Sequence, residues 1–300
     1  MNRKLARRLP LLGKWVRKLD ALEEKYAKLK SQRDSLKRQR DFLPKELSEV
    51  RAPLEFIQRQ EDERRALRHK QESRLPIPPA SLRLRVHGKD DEVAFLSVGD
   101  AIASQISEIV SAENRSFDGL ERILDFGCGC GRVLRFFENR PLSCKLFATD
   151  IDEEAVSWCR NNLASLATFS RNGDRPPLEF ESDYFDLVLA ISVFTHLPEV
   201  LELSWLSELQ RIAKPGAILL LTVHGERLFT NVPSASYDEL SRRGFCYADC
   251  GPTVGLPDYY QTSFHSKAYI ERYWSEFFHI RRIVALGGQD VVVCEKRPAP

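Results

Sequence analysis

The chain has 300 residues, of which 43% are hydrophobic and 29% charged, so it can bury a sizeable core and is not intrinsically disordered. Its seven cysteines are an odd number, and Cys128 and Cys130 lie inside a glycine-rich run, so a secreted disulfide scaffold is excluded. No apolar stretch approaches the about 20 residues of a membrane-spanning helix, and the basic start lacks the apolar core of a secretory signal. The predicted location is cytoplasmic, with a peripheral membrane contact left open.

The charge is unevenly distributed along the chain. Residues 1–75 carry 22 Lys/Arg and 12 Asp/Glu, whereas residues 76–300 carry 23 and 31. A proline-rich segment, 75–80, follows the change in sign. We therefore predict two domains, a basic helical or coiled-coil extension over 1–75 and a globular domain over 76–300.

The first part has the spacing of a coiled coil. Apolar residues alternate at intervals of three and four, and they are Leu12, Trp15, Leu19, Leu22, Tyr26, Leu29, Leu36 and Leu43. This pattern predicts self-association or a partner helix through residues 12–43, with packing along one stripe of a solvated helix as the alternative. Pro44 is predicted to end or kink the helix, and Pro53 to break the next stretch.

The first 18 residues contain seven basic residues and no acidic one. Such a segment fits an anionic membrane surface, nucleic-acid phosphates, or simply the solvated start of the helix. Pro10 and Gly13 favour the last of these, because both residues disfavour a helix.

The second part alternates helices and continuous apolar strands. Helices are predicted over 92–111, 131–139, 152–164, 197–213 and 266–278, and strands over 122–126, 145–149, 185–192, 217–223, 280–286 and 290–295. Strands that are apolar throughout lie in parallel sheets covered on both faces, and the Gly287-Gly288 turn predicts an antiparallel hairpin. The fold class is therefore α/β, a doubly wound and mostly parallel sheet with an antiparallel hairpin at its C-terminal end.

A glycine loop follows the first strand and has the sequence Asp125-Phe-Gly127-Cys-Gly129-Cys-Gly131. It lacks the third glycine of a dinucleotide fingerprint, because Arg132 and Leu134 stand at the two possible positions, and it lacks the Gly-Lys-Ser/Thr of a phosphate loop. Its glycines allow a ligand to approach the backbone closely, and the Asp125 carboxylate suits an ammonium group.

A second carboxylate, Asp150, ends the strand over 145–149 and lies 23 residues after Gly127. In this position a carboxylate can accept both hydroxyls of a ribose. The alternative role, capping the next helix, suits Asp152 better because Glu153 and Glu154 follow it in the first turn.

Four segments together resemble the class I S-adenosylmethionine-dependent methyltransferases: ILDFGCGCGR, LFATDIDEEAV, FDLVLAISVFTHL and ELQRIAKPGAILLLTV. The resemblance covers roughly residues 90–295 and implies a seven-stranded sheet and S-adenosylmethionine as donor. It implies Gly127, Gly129 and Gly131 around the methionine part of the donor and Asp125 near its amino group. Asp150 would hold the ribose and Ile151 and Asn172 would flank the adenine, while Ser192 completes the predicted set.

The catalytic base is predicted to be a histidine at the carboxyl edge of the sheet. His196 follows the fourth apolar strand of the methyltransferase pattern, His224 follows the next, and His265 lies in the long aromatic segment 226–265. An oxygen acceptor needs a base, and His196 and His265 are the leading candidates. For each of them, a structural hydrogen-bonding role is the alternative.

The range of possible methyl acceptors is limited mainly by motifs that the sequence lacks. Where amino-methylating relatives of the resembled family carry an Asp/Asn-Pro-Pro-aromatic motif, the sequence reads Ser192-Val-Phe-Thr. A small molecule or a glycan, methylated on oxygen, is the favoured acceptor, with the 226–265 segment as a lid or binding loop. Two alternative functions stay open: an RNA or protein methyltransferase, and a coiled-coil scaffold with a vestigial donor site. The net negative charge of the globular part disfavours nucleic acid as a partner. No metal is predicted, since Cys246 and Cys250 lack a second pair.

Overall fold

A computed structural model describes residues 10–138, 144–249 and 255–298. The chain divides into two compact units, Met1–Glu61 and Asp62–Pro300. The second unit begins upstream of the predicted boundary at residue 76. Residues before 76 belong to this unit because they pack against it. Ala66 and His69 are buried, and the His69 ring lies 4.4 Å from that of Phe136.

The long N-terminal helix is continuous. Helix α1 spans Pro10–Glu72, so the predicted end of the helix at Pro44 and the predicted break at Pro53 are wrong. A proline removes one amide donor from a helix, but the hydrogen bonds of neighbouring turns can carry the helix across it. Of the predicted seam, the side chains of Leu22, Tyr26 and Leu29 are described, and each is more than half exposed. The other seam residues lie outside the described side chains.

The second unit is built on a seven-stranded sheet of order β3-β2-β1-β4-β5-β9-β8. Its strands are β1 (Arg122–Phe126), β2 (Lys145–Asp150), β3 (Thr168–Arg171), β4 (Phe185–Ala190), β5 (Ala213–Val223), β8 (His279–Leu286) and β9 (Gln289–Glu295). The first five strands pair in parallel, while β9 runs antiparallel to both β5 and β8. This confirms the predicted fold class with its C-terminal hairpin.

Helices cover the two faces of the sheet. They are α2 (Ala80–His87), α3 (Glu92–Ala112), α4 (Glu153–Asn162), α5 (Glu199–Ile212), α6 (Tyr237–Arg243) and α7 (Lys267–Tyr273). By length and composition alone, α3 is apolar enough to cross a membrane. Its apolar residues instead fill the core, where Phe95, Leu96 and Ile106 are completely buried, as in a core helix of a globular domain.

One predicted helix does not form. The 131–138 stretch is a tight turn followed by a short 3₁₀ helix, Leu134–Phe137, and Asn139 lies outside the described residues. Arg135 is fully buried in this stretch, and it donates a hydrogen bond to the carbonyl of Pro76 at 2.9 Å. Contacts with the segment before α2 therefore decide the local structure, not the apolar spacing.

The segment between β5 and α7 is a folded insertion. Strands β6 (Phe245–Ala248) and β7 (Thr262–His265) form a second, two-stranded sheet. The Ser263 amide donates to the carbonyl of Thr195 and the His265 amide to that of His224, each at 2.9 Å. The insertion is thus attached to the loops that follow β4 and β5.

Candidate active site

The loop after β1 has a conformation that needs glycine. Gly127, Gly129 and Gly131 have φ angles of 79°, 54° and 75°, in the left-handed region that other residues rarely adopt. A Cβ at Gly127 would lie 2.2 Å from Val193 Cγ2, and one at Gly129 would lie 2.6 Å from Val86 Cγ2. At these glycines the backbone itself therefore forms the floor of a cleft, with no side chain between it and a ligand.

This cleft lies at the carboxyl ends of the parallel strands, where open α/β sheets bind their ligands. It contains about 950 Å³ of space not filled by protein atoms. Seven of the eight predicted donor-binding residues line it: Asp125, Gly127, Gly129, Asp150, Ile151, Asn172 and Ser192. The eighth, Gly131, does not line it but closes the turn, because a Cβ there would lie 2.5 Å from Leu163 Cδ1.

Asp150 is held in place by backbone amides. Its Oδ2 accepts from the Gly129 amide at 2.6 Å and its Oδ1 from the Asp152 amide at 2.9 Å. Burial raises the pKa of Asp150, and these hydrogen bonds oppose the rise. The helix cap is Asp152, which accepts from the amides of Glu154 and Ala155. Asp150 is therefore left to face the cleft.

Asp125 is the second buried carboxylate of the cleft. Burial, followed by the negative charge of Asp150, raises the pKa of Asp125 to about 7, and Arg132 opposes this shift. A cation bound in the cleft would relieve the repulsion between the two carboxylates. The sequence interpretation assigns Asp125 to the ammonium group of the donor and Asp150 to its ribose hydroxyls, and both acids line the same cleft.

Several cleft residues were not predicted from the sequence. They are Arg85, Val86, Arg132, Val133, Trp205, Leu256, Tyr259 and Tyr260. Arg132 directly follows the third glycine, so its place beside the loop was readable from the sequence. Its guanidinium is buried, bonds the carbonyl of Val86 at 3.1 Å and leaves Nε without a partner. Such a group suits the carboxylate of the donor.

The two tyrosines bring the insertion to the cleft. Tyr260 is stacked on the ring of His196, with centroids 4.1 Å apart, and its hydroxyl donates to the carbonyl of Ser192 at 3.3 Å. The aromatic content of the insertion predicted a lid or binding loop. The structure shows a wall fixed by hydrogen bonds.

None of the three candidate histidines lines the cleft. His196 and His224 lie behind Tyr260, and their Nδ1 atoms contact the carbonyls of Gln261 at 2.6 Å and Ser263 at 3.2 Å. Burial lowers the pKa of His196 and, helped by the proximity of His196, lowers that of His224 to about 4. Both rings are therefore neutral near pH 7.

His265 lies in a buried structural network, not at the cleft. Its Nε2 is 2.6 Å from Oε2 of Glu202, whose Oε1 accepts from the Trp274 indole at 2.7 Å, and all three side chains are fully buried. The prediction of His265 as a base that faces the acceptor does not agree with this position. Nothing in the sequence pattern indicated that Glu202, in α5, points inward.

His265→Ala should therefore affect folding and not chemistry. Removing the imidazole leaves the Glu202 carboxylate buried with one partner fewer, which costs about 1–3 kcal/mol of unfolding free energy. Denaturant unfolding measures the loss, and methyl transfer per folded molecule should stay within a few-fold of wild type. A folded variant with turnover reduced a hundredfold would restore His265 to the chemistry.

The described residues 10–138, 144–249 and 255–298 contain no group of three or more His, Cys, Asp or Glu side chains that could hold a metal. Within the same residues, Cys128, Cys130 and Cys159 are buried free thiols around the glycine loop. Cys250, one of the two spaced cysteines considered for zinc, lies outside them.

The sequence of residues 123–216, about a third of the chain, matches a family model described as "Methyltransferase domain". Among solved structures, a SAM-dependent methyltransferase from Methanosarcina mazei is 21% identical, with 63% of this chain and 97% of that chain covered and a TM-score of 0.49. A SAM-dependent methyltransferase from Aquifex aeolicus is 18% identical, covering 66% and 98%, with a TM-score of 0.41. Magnesium protoporphyrin IX methyltransferase from Synechocystis, solved with bound SAH, is 17% identical, covering 68% and 85%, with a TM-score of 0.46.

The sheet order, the glycine loop and the two cleft carboxylates agree with the family match. The chain contains a methyltransferase domain with a Rossmann-like fold and is an S-adenosylmethionine-dependent methyltransferase. Its cofactor, S-adenosylmethionine, supplies an electrophilic methyl group. The buried acids and the aromatic wall give the cleft the polar and apolar surfaces that this donor needs.

Asp150→Ala should weaken donor binding by about 1–3 kcal/mol, the cost of losing charge-assisted hydrogen bonds in a desolvated site. Titration calorimetry with S-adenosylmethionine measures this change. Asp183→Ala is a suitable control, since Asp183 is an exposed acid that pairs with Lys296. Unchanged affinity in Asp150→Ala would remove Asp150 from the donor site.

Proposed function

We propose that the enzyme methylates an oxygen atom of a small hydroxylated molecule or of a sugar unit in a glycan. The attachment of the insertion carries this proposal. Ser263 Oγ donates to the carbonyl of Phe194 at 2.9 Å, in addition to the amide bonds of β7. Tyr259 and Tyr260, just before β7, therefore lie in one wall of the donor cleft. A walled cleft suits a small acceptor better than a duplex or a folded protein.

The charge of the globular domain supports a small acceptor. Residues 76–300 carry 31 acidic and 23 basic side chains, whereas nucleic-acid binding depends on basic surfaces. An RNA or protein acceptor would have to be recruited by the basic N-terminal part.

Oxygen methylation requires that a proton leave the acceptor. On the acceptor side the cleft offers the hydroxyls of Tyr260 and Ser192, with neutral His196 stacked directly behind Tyr260. His196 remains the proposed proton acceptor. The methyl acceptor reaches it when the Tyr260 hydroxyl leaves the carbonyl of Ser192 and the stacked ring turns aside. Holding donor and acceptor in line supplies the rest of the rate enhancement.

A labelled-methyl experiment tests the proposal. Full-length enzyme is incubated with S-adenosylmethionine labelled in its methyl group and with an extract of the cells that make the protein, and the extract is then separated into low-mass, glycan, protein and RNA fractions. Label should appear in the low-mass or glycan fraction, and mass spectrometry should show a methyl ether. Label confined to protein or RNA would overturn the proposal, and a Gly127→Ala variant serves as the donor-site control.

For the N-terminal part we propose the association roles that its sequence predicts. The exposed apolar stripe of Leu22, Tyr26 and Leu29 is suited to self-association or to a partner helix. Contact with an anionic membrane and a cytoplasmic location also stay predictions.

A further inference from the structure

We infer that Gln289 and Ser192 together bind a hydroxyl group of the methyl acceptor, and that this acceptor carries no charge. The inference rests on the proposed function and deepens it. It starts from the place where the C-terminal hairpin meets the donor cleft.

Gln289 lies at the carboxyl edge of β4 and β5 because β9 runs antiparallel to its neighbour. Asp290 pairs with Val223, the last residue of β5, so Gln289 lies just beyond that end. Ser192 follows β4 on the same edge and lines the donor cleft. Gln289 is not itself among the residues that line the donor cleft, but its side-chain amide contacts Ser192, which is, at the strand edge where ligands bind.

Ser192 is held in an unusual backbone conformation. Its φ angle is 62°, in the left-handed region, which costs a non-glycine residue free energy that its surroundings must offset. Its amide donates to Thr222 Oγ1 at 2.7 Å, and its carbonyl accepts from the Tyr260 hydroxyl. These bonds fix the direction of the serine side chain at the cleft.

The Gln289 amide and the Ser192 hydroxyl form a pair with spare hydrogen-bonding capacity. Ser192 Oγ lies 3.0 Å from Nε2 and 3.2 Å from Oε1 of Gln289, so the hydroxyl can either donate or accept within the pair. An amide has two donor hydrogens and an oxygen with two lone pairs. An incoming hydroxyl needs one donor and one acceptor, and this pair can offer both.

The charged groups around the pair are neutralised. Arg227 bonds Asp290 at 2.7 Å and the carbonyl of Gln289 at 2.7 Å. The neighbouring His224 has a pKa lowered to about 4 by burial, so it is neutral near pH 7. A charged acceptor would lose its hydration here without gaining a counter-ion, which is costly, whereas a neutral hydroxylated molecule would not.

Ion exchange tests the charge of the acceptor. The low-mass or glycan fraction that accepts labelled methyl groups is passed at pH 7 through an anion exchanger and then a cation exchanger. The methyl-accepting activity should appear in both flow-through fractions. Retention on either resin would overturn the assignment of an uncharged acceptor while leaving the proposed function intact.

Gln289→Leu tests the hydroxyl contact, with Gln105→Leu as the matched control. Gln105 accepts from the Gly287 amide of the same hairpin at 2.9 Å and, unlike Gln289, forms no hydrogen bond with Ser192. With the active extract fraction as the varied substrate, Gln289→Leu should raise the half-saturating amount about tenfold. The maximal rate and the calorimetric affinity for S-adenosylmethionine should stay near wild type.

Two results would overturn the contact. One is an unchanged half-saturating amount in Gln289→Leu, and the other is an equal loss of donor affinity, which would place Gln289 on the donor side. A wild-type enzyme that labels only protein or RNA would instead refute the proposed function, so the two failures are distinguishable.

Discussion

Asp125→Asn is expected to weaken S-adenosylmethionine binding by about 2–5 kcal/mol, the usual cost of removing one partner of a buried, hydrogen-bonded charge pair. In the free protein, burial and the charge of Asp150 raise the pKa of Asp125 to about 7. The donor ammonium favours the ionised carboxylate, so donor binding lowers that pKa. Below pH 7 the enzyme must then release a proton to bind the donor.

Wild-type affinity should therefore rise with pH, by up to about tenfold per unit, and level off above pH 7. Calorimetry at pH 5.5, 6.5 and 7.5, in buffers of different ionisation enthalpy, measures both the affinity and the released proton. Asp125→Asn should release no such proton, and Asp118→Asn, at an exposed acid, should behave as wild type. A flat affinity over this range would contradict the assignment of Asp125 to the ammonium group.

The raised pKa of Asp125 also predicts how the stability of the donor-free protein changes with pH. The pKa of Asp125 is about 7 in the folded protein and 3.8 in its ordinary, unfolded environment, so between these values the unfolded chain releases a proton that the folded protein keeps. Stability without donor therefore falls as pH rises from about 4 to 7 through this residue. At pH 8 the donor-free Asp125→Asn variant should unfold at a higher temperature than wild type, although it binds the donor less well.

Gly127→Ala is expected to lower the free energy of unfolding by about 2–4 kcal/mol and to abolish detectable donor binding. The φ angle of 79° is strained for alanine, and the new Cβ would lie 2.2 Å from Val193 Cγ2. Val193 adjoins Ser192, so relieving the clash also moves the acceptor side of the cleft. Denaturant unfolding and calorimetry measure the two effects.

Gly119→Ala is the matched control, because a Cβ there meets no atom within 4 Å and its φ is not positive. It should leave both stability and donor affinity near wild type. Equal donor affinity in Gly127→Ala and wild type would show that the donor does not approach this loop.

The sequence pattern alone predicted six of the seven strands of the sheet and the residues of the glycine loop. It missed β3, a strand of four residues between α4 and β4, and only the family resemblance implied a seventh strand. The continuous apolar strands leave only a sheet covered on both faces, and the Gly-Gly turn fixes the antiparallel hairpin. Asp125, the glycine loop and Asp150 follow β1 and β2 directly, so local order along the chain was enough to place them on one edge.

The tertiary structure decided which side chains lie around that edge. His196 follows β4 and His265 lies at the end of the aromatic segment 226–265, yet Tyr260 covers the first and Glu202 binds the second. Ser192 and Gln289 are 97 residues apart and meet only because β9 pairs with β5 in reverse. Hydrophobic periodicity records which face of an element is buried, but not which distant residue packs against it. For this reason the place of Asp125 and Asp150 in the cleft could be predicted, whereas the contacts of the histidines and of Gln289 needed the folded structure.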